Sequence, residues 1–409
     1  MSTHTATRQG SPATVFASFL HFDLCFTIWV LLGALGVYIT KDLNLNAFQQ
    51  GVMVAIPTLS GAVFRLPIGL LGDRVGGKRV GVGMLLFLFI PLLLGWLVPV
   101  NFPALIAIGL MLGVAGASFA VALPMASHWY TSERQGLVMG IAAAGNIGTV
   151  VSTFFGPRLA KTYGWHGVMG LVIIPLAVVL LAFLLMAKDS PTRPKGVPVS
   201  RYLAALKRGD IWWFCLFYSI TFGGFVGLGT FLPLFFHNQY GLNAADAGAL
   251  TALAAFMGST LRPLGGYIAD KIGGILALSL LLAIIALLYA AVSFLPVLGV
   301  TSVVVVALVA ALGMGNGSVF QLVPQRFQME IGVATGLVGA FGGLGGFFLP
   351  ILLGSVKQTS GSYGWGLAVL AVMALSALIV LRILVMVREG WRFSWSVPAS
   401  SSLSTDNAD

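Results

Sequence analysis

Apolar residues come in runs of about 20 along the whole chain, each run broken by glycine, proline or charge. A run of that length, wound as a helix at ~1.5 Å per residue, crosses the ~30 Å hydrocarbon core of a bilayer. The pattern predicts about twelve spans, at 17–40, 50–72, 79–98, 103–128, 135–156, 166–187, 211–236, 246–268, 274–294, 299–323, 331–354 and 364–387. The one long polar stretch, from Lys188 to Asp210, divides them six and six. The expected organisation is an N-terminal segment (1–16), a six-helix bundle (17–187), a linker (188–210), a second six-helix bundle (211–387) and a tail (388–409). From Phe393 onward the tail is rich in serine and reads as disordered.

Composition agrees with a lipid solvent, since 58% of residues are hydrophobic and 8% charged. A soluble globular surface needs about a quarter charged residues. The fold class is therefore an all-α membrane protein. The polar first sixteen residues lead straight into the first run without a small-residue cleavage site, so no segment is expected to be removed.

Of the 22 Lys and Arg, sixteen fall in segments that are cytoplasmic if both termini are, and four (Lys41, Arg158, Lys161, Lys357) fall outside. That bias predicts a multi-pass protein with both termini in the cytoplasm. The net charge of +10 is then topology and contact with anionic lipid, and implies no nucleic-acid partner. Cys25 and Cys215 lie in separate spans, and clustered His, Asp or Cys for metal or nucleophilic chemistry is missing from the spans. No metal, no cofactor and no enzymatic activity are expected.

Sliding the sequence against itself by 197 positions aligns two separate places. Arg65, Gly69, Asp73, Gly76 and Gly77 superpose on Arg262, Gly266, Asp270, Gly273 and Gly274, with Arg74 on Lys271. Gly145, Ile147 and Gly148 superpose on Gly342, Leu344 and Gly345. One offset at two places implies duplicated six-span halves, with a binding site expected at their interface near the midplane.

Arg65 and Arg262 are the two cations left inside spans. Each precedes a loop aspartate by eight residues, which puts it ~12 Å inward from a helix end. A charge at that depth costs at least a few kcal/mol and marks function. With no acid at comparable depth in either span, the pair calls for an anion, and planar guanidinium forks suit two oxygens of an oxyanion. Nitrate, nitrite, bicarbonate and a small carboxylate all satisfy that requirement.

The loop GLLGDRVGGKRV (69–80) resembles the loop between the second and third spans of the major facilitator superfamily. The glycine-rich spans GLVMGIAAAGNIG and GLVGAFGGLGGFFLP resemble the paired signature motifs of its nitrate/nitrite porter family. The resemblance implies two pseudo-symmetric six-helix bundles, nitrate as substrate with nitrite as a second candidate, alternating access, and a monomer in the bacterial inner membrane. Carried onto this sequence, the substrate site is Arg65, Arg262, Asn146, Tyr218, Phe222 and Phe119, with Gly145, Gly342 and Gly343 in the signature spans. Asp73 and Arg74 with Asp270 and Lys271 would latch the halves on the cytoplasmic side. Asp23, inside the first apolar run, resembles the proton/nitrate symport branch and is the candidate for proton coupling. Nitrate/nitrite exchange and a small-carboxylate carrier of the same superfamily stay open as alternatives. A channel is disfavoured, because mobile halves with matching latches suit alternating access.

Overall fold

The computed structural model describes residues 10–130, 138, 141–191, 199–327, 331–388 and 391. Arg8, Arg134, Gly136, Gly140 and the serine-rich tail lie outside the described residues. Within them every regular element is helical.

The first span is three consecutive pieces, Pro12–Trp29, Leu31–Ala34 and Gly36–Leu43. The second is Ala47–Val75, the third Gly77–Leu97 and the fourth Phe102–Ser127. The stretch Ile141–Met186 has 46 residues, or ~69 Å of helix, more than twice a bilayer core. It breaks at Gly164 (φ 68°, ψ 165°) and so carries the fifth and sixth spans. The second half runs Gly209–Tyr240, Ala244–Ile272, Gly274–Ser293, Leu298–Arg326, Ile331–Ser360 and Gly364–Val387 as the seventh to twelfth spans. Twelve crossings in two sets of six match the apolar pattern.

Two details depart from it. The fifth span continues past 156, because Arg158 folds back onto its own helix: Nη1 donates to the Phe154 carbonyl (2.6 Å) and the guanidinium lies 3.8 Å from the Phe154 ring. Covering its charge that way lets a polar residue extend an apolar helix. The linker holds a short helix, Val199–Leu206, whose apolar residues recur at helical spacing.

The repeat is as visible in the backbone as in the sequence. Positive φ occurs at Asn44 and Gly241, at Gly76 and Gly273, and at Gly164 and Gly361, three pairs each 197 residues apart. Gly76 and Gly273 adopt φ 111° and 90° with ψ 140° and 133°, a region that a Cβ excludes, so glycine alone closes these span-to-span turns. Asn46 and Asn243, again 197 apart, cap the second and eighth spans with side-chain oxygens that accept from backbone N–H groups three residues on.

The halves press together at the end of the bundle that holds the Asn44 and Gly241 turns. A Cβ on Gly51 would stand 2.5 Å from the Pro350 carbonyl oxygen and 3.3 Å from Gly354 Cα, so the second and eleventh spans touch backbone to backbone. Its counterpart Gly248 meets Thr153 and Pro157 of the fifth span, which are the counterparts of Pro350 and Gly354. Gly33 of the first span meets Thr230 of the seventh in the same manner. Polar contacts finish this closure: Asn238 Nδ2 donates to Gln50 Oε1 (2.8 Å) and to Tyr363 Oη (3.1 Å), and the Ala47 N–H donates to Gln358 Oε1 (3.1 Å).

Candidate functional site

Arg65 lies past the middle of the second span and is 3% exposed. Its Nη1 donates to the Gly339 carbonyl of the eleventh span (2.5 Å) and its Nη2 to the Gly116 carbonyl of the fourth (2.8 Å), while Nε has no partner. The guanidinium is thus held by both halves of the molecule. Aromatic rings surround it, with Phe119 at 5.5 Å, Phe222 at 5.6 Å and Trp29 at 5.9 Å, distances at which a ring face attracts a cation.

Arg262 is held more loosely. The eighth span breaks at Leu261, and Arg262 and Pro263 begin its second piece, Arg262–Ile272. The side chain is half-buried, its Nη2 donates to Tyr218 Oη over 3.4 Å, and Phe320 lies 5.6 Å away.

Between the arginines runs a continuous aromatic wall. Tyr218 and Phe222 stack at 4.9 Å with 5° between planes, Phe320 meets Tyr218 edge-on at 4.8 Å, and Phe119 meets Phe320 across the halves at 6.2 Å. The structure therefore brings Arg65, Arg262, Tyr218, Phe222 and Phe119 into one cluster. Trp29 and Phe320 join it without having been read from the sequence, where nothing distinguishes them among nine Trp and 28 Phe.

Asn146 is buried in the short turn Ala144–Ile147 that opens the fifth span's continuous helix, and its Oδ1 has no hydrogen-bond partner. The signature glycines do a different job: they let helices touch. A Cβ on Gly145 would stand 2.8 Å from the Asp23 nitrogen, and Gly148 packs on the Asp23 carbonyl. Thr27 Oγ1 closes the same contact with the carbonyls of Asp23 (3.0 Å) and Gly148 (3.1 Å). In the other half, Gly342 makes room for the Tyr218 ring, and Gly343 faces Ala62 of the second span with 2.8 Å between their β positions. Gly342 thereby seats an aromatic of the cluster, whereas Gly145 lies behind the first span.

Asp23 is half-buried beside this helix contact, and its Oδ1 has no partner. At the end of the bundle with the Gly76 and Gly273 turns, Asp270 accepts from Gln321 Nε2 (3.0 Å) and Lys271 lies over Tyr267 (5.6 Å), both within the second half. A polar cluster that the sequence did not announce ties the second half together at that end. Asp210 accepts from Arg326 Nε (2.8 Å), Arg388 Nη1 (3.1 Å) and Trp391 Nε1 (3.0 Å), joining the starts and ends of the seventh, tenth and twelfth spans.

The Major Facilitator Superfamily model matches residues 17–350. The chain is 37% identical to the "Nitrite extrusion protein" of Bacillus subtilis, over 87% of this chain and 90% of that protein. It is 35% identical to the "Probable nitrate/nitrite transporter NarK2" of Mycobacterium tuberculosis, over 86% and 91%. It is 33% identical to the "Probable nitrate/nitrite antiporter NarK1" of Thermus thermophilus, over 85% of each. Among solved structures, a bacterial homologue of the human lysosomal transporter Spinster, in an inward-facing and occupied conformation, shares the fold with a TM-score of 0.66 at 18% identity, over 93% of this chain and 96% of that one.

Proposed function

Since the chain belongs to the major facilitator superfamily and, within it, to the nitrate/nitrite porter family, we propose that it transports nitrate and nitrite across the bacterial inner membrane by alternating access, with nitrate entry coupled to protons. The bundles at 17–187 and 211–387 are the two moving bodies, joined by the 188–210 linker, and one monomer in lipid is the working unit.

One observation carries the reading. Two arginines at equivalent positions of the repeat meet across the halves through a single wall of aromatic rings, and Arg65 is met by carbonyl oxygens where a structural arginine would have a carboxylate. A planar anion fits between two guanidinium forks and stacks against ring faces. Nitrate and nitrite, flat and singly charged, have that shape.

The direction of access follows if both termini are cytoplasmic. The closure at Gly51 and Gly248 then faces outward, Asp270 and Lys271 face the cytoplasm, and a carrier closed on its outer side is inward-facing. Asp73 and Arg74 with Asp270 and Lys271 would latch the halves when the carrier turns outward.

Proton coupling rests on Asp23, a half-buried acid whose Oδ1 has no partner, beside the contact of the first and fifth spans within the first half. Exchange of nitrate for nitrite is the second reading, favoured by the names of two relatives, an antiporter and an extrusion protein. Proteoliposomes separate the two: symport is driven by an imposed pH gradient with no anion inside, whereas exchange needs nitrite inside and ignores the gradient. Failure of both anions to move under either condition would overturn the transport reading.

A further inference from the structure

The offset that relates the halves points to a residue missing from the site as described. Shifting Phe119, whose ring lies beneath Arg65, by 197 positions lands on Asn316 of the tenth span. Asn316 is 1% exposed and its Oδ1 has no hydrogen-bond partner.

Its direction follows from its neighbours. A Cβ on Gly315 would stand 2.6 Å from Thr221 Cγ2 of the seventh span, and one on Gly317 would meet the Arg262 carbonyl of the eighth. At about 100° per residue, the side chain between them points along the line dividing those two directions, either into the angle between the seventh and eighth spans or away from it. Phe320, four residues on and on the same helix face, touches Tyr218 and Arg262, which selects the inward choice. Thr221, three residues from Tyr218, is also fully buried with an unpartnered Oγ1. A carboxamide and a hydroxyl, neither satisfied within the protein, thus stand one turn from the arginine and aromatic layer on its closed side. The hydroxyl can donate to an anion beside it, whereas the carboxamide does so through Nδ2, the end opposite its unpaired oxygen.

We propose that Asn316 is a specificity-determining residue of the site, its amide N–H group donating to an oxygen of nitrate on the Arg262 side. The inference rests on the nitrate/nitrite reading above. Arg65 is bounded by three aromatic faces, whereas Arg262 has the ring of Phe320, the Tyr218 hydroxyl and, by symmetry, Asn316 where the first half has Phe119. Both anions present two oxygens to a guanidinium fork. Nitrate alone has a third, and a donor set off the fork is what distinguishes them.

The test uses the full chain, purified and reconstituted, with Asn316→Leu and Asn316→Ser, and measures KM for nitrate and for nitrite together with the melting temperature. Leucine shares the branched outline of asparagine but is larger, so Asn316→Leu exchanges an unpaired amide for some overpacking and should still fold. Its nitrate KM should rise about tenfold or more while the nitrite KM moves far less. Asn316→Ser, smaller and still polar, gives the same readout should the leucine variant fail to insert, and should fall between the two. An unchanged ratio of the two KM values in a folded variant overturns the proposal, as does a drop in melting temperature with unchanged preference, which would make Asn316 a packing residue. If the parent protein moves neither anion, the transport reading has failed and not this residue's assignment.

Discussion

At the scale of single residues the two arginines are equivalent in the repeat and unequal in their surroundings. Arg65 spans two carbonyls from different spans, and lysine, with one compact ammonium, cannot reach both in the same geometry. Arg65→Lys should therefore lower both transport and melting temperature. Arg262→Lys should abolish most transport while stability stays within about 0.5 kcal/mol of the parent, because a half-buried side chain with one long hydrogen bond contributes little to the fold. Uptake and thermal unfolding of the same preparations check both, and near-normal nitrate uptake in either variant would break the paired-clamp reading. Asn146→Ala should weaken nitrate binding by about 1 to 3 kcal/mol, the usual effect of unpairing a buried partner. The arginines stood out in the sequence because charge inside an apolar run is costly. Phe320 and Trp29 were not, since an aromatic residue in a membrane span is ordinary until its neighbours from other spans are known.

At the scale of elements, glycines decide where helices meet. Gly342→Leu would drive a side chain into the Tyr218 ring, and Gly145→Leu would part the fifth span from the first at Asp23. Both should stop turnover with the protein still in the membrane, and unaltered turnover in both would make these glycines passive. The Asp210 cluster supports the fold: Asp210→Asn should lower stability by about 1 to 2 kcal/mol, discounted for the exposure of Arg388, without changing the nitrate/nitrite preference. The twelve spans and their duplication were legible because the lengths of the apolar runs and the 197-residue offset are properties of the chain alone. The linker helix, the extended fifth span and the Asp210 cluster depend on contacts between residues far apart in sequence, and no local pattern encodes those.

At the scale of the whole molecule, symport with more than one proton per nitrate moves net positive charge inward, whereas one-for-one anion exchange moves none. In vesicles at equal pH, an inside-negative potential should speed nitrate entry under symport and leave exchange unchanged. Asp23→Asn should then reduce gradient-driven uptake more than nitrate binding, and normal accumulation in that variant would show Asp23 to be structural. The closure at Gly51 and Gly248 limits the energetics of either cycle. Nitrate is a passenger of four atoms, and at a ceiling of roughly 1.5 kcal/mol per non-hydrogen atom it can supply no more than about 6 kcal/mol of binding energy. Reversing a two-state balance from 1:99 to 99:1 takes about 5.5 kcal/mol. A gate sealed by large interlocking side chains would be too strong for so small a ligand to turn. Gly51 against Pro350 and Gly354, and Gly248 against Thr153 and Pro157, bring backbones together with little side-chain surface to separate, which keeps the gate within reach of an anion this size.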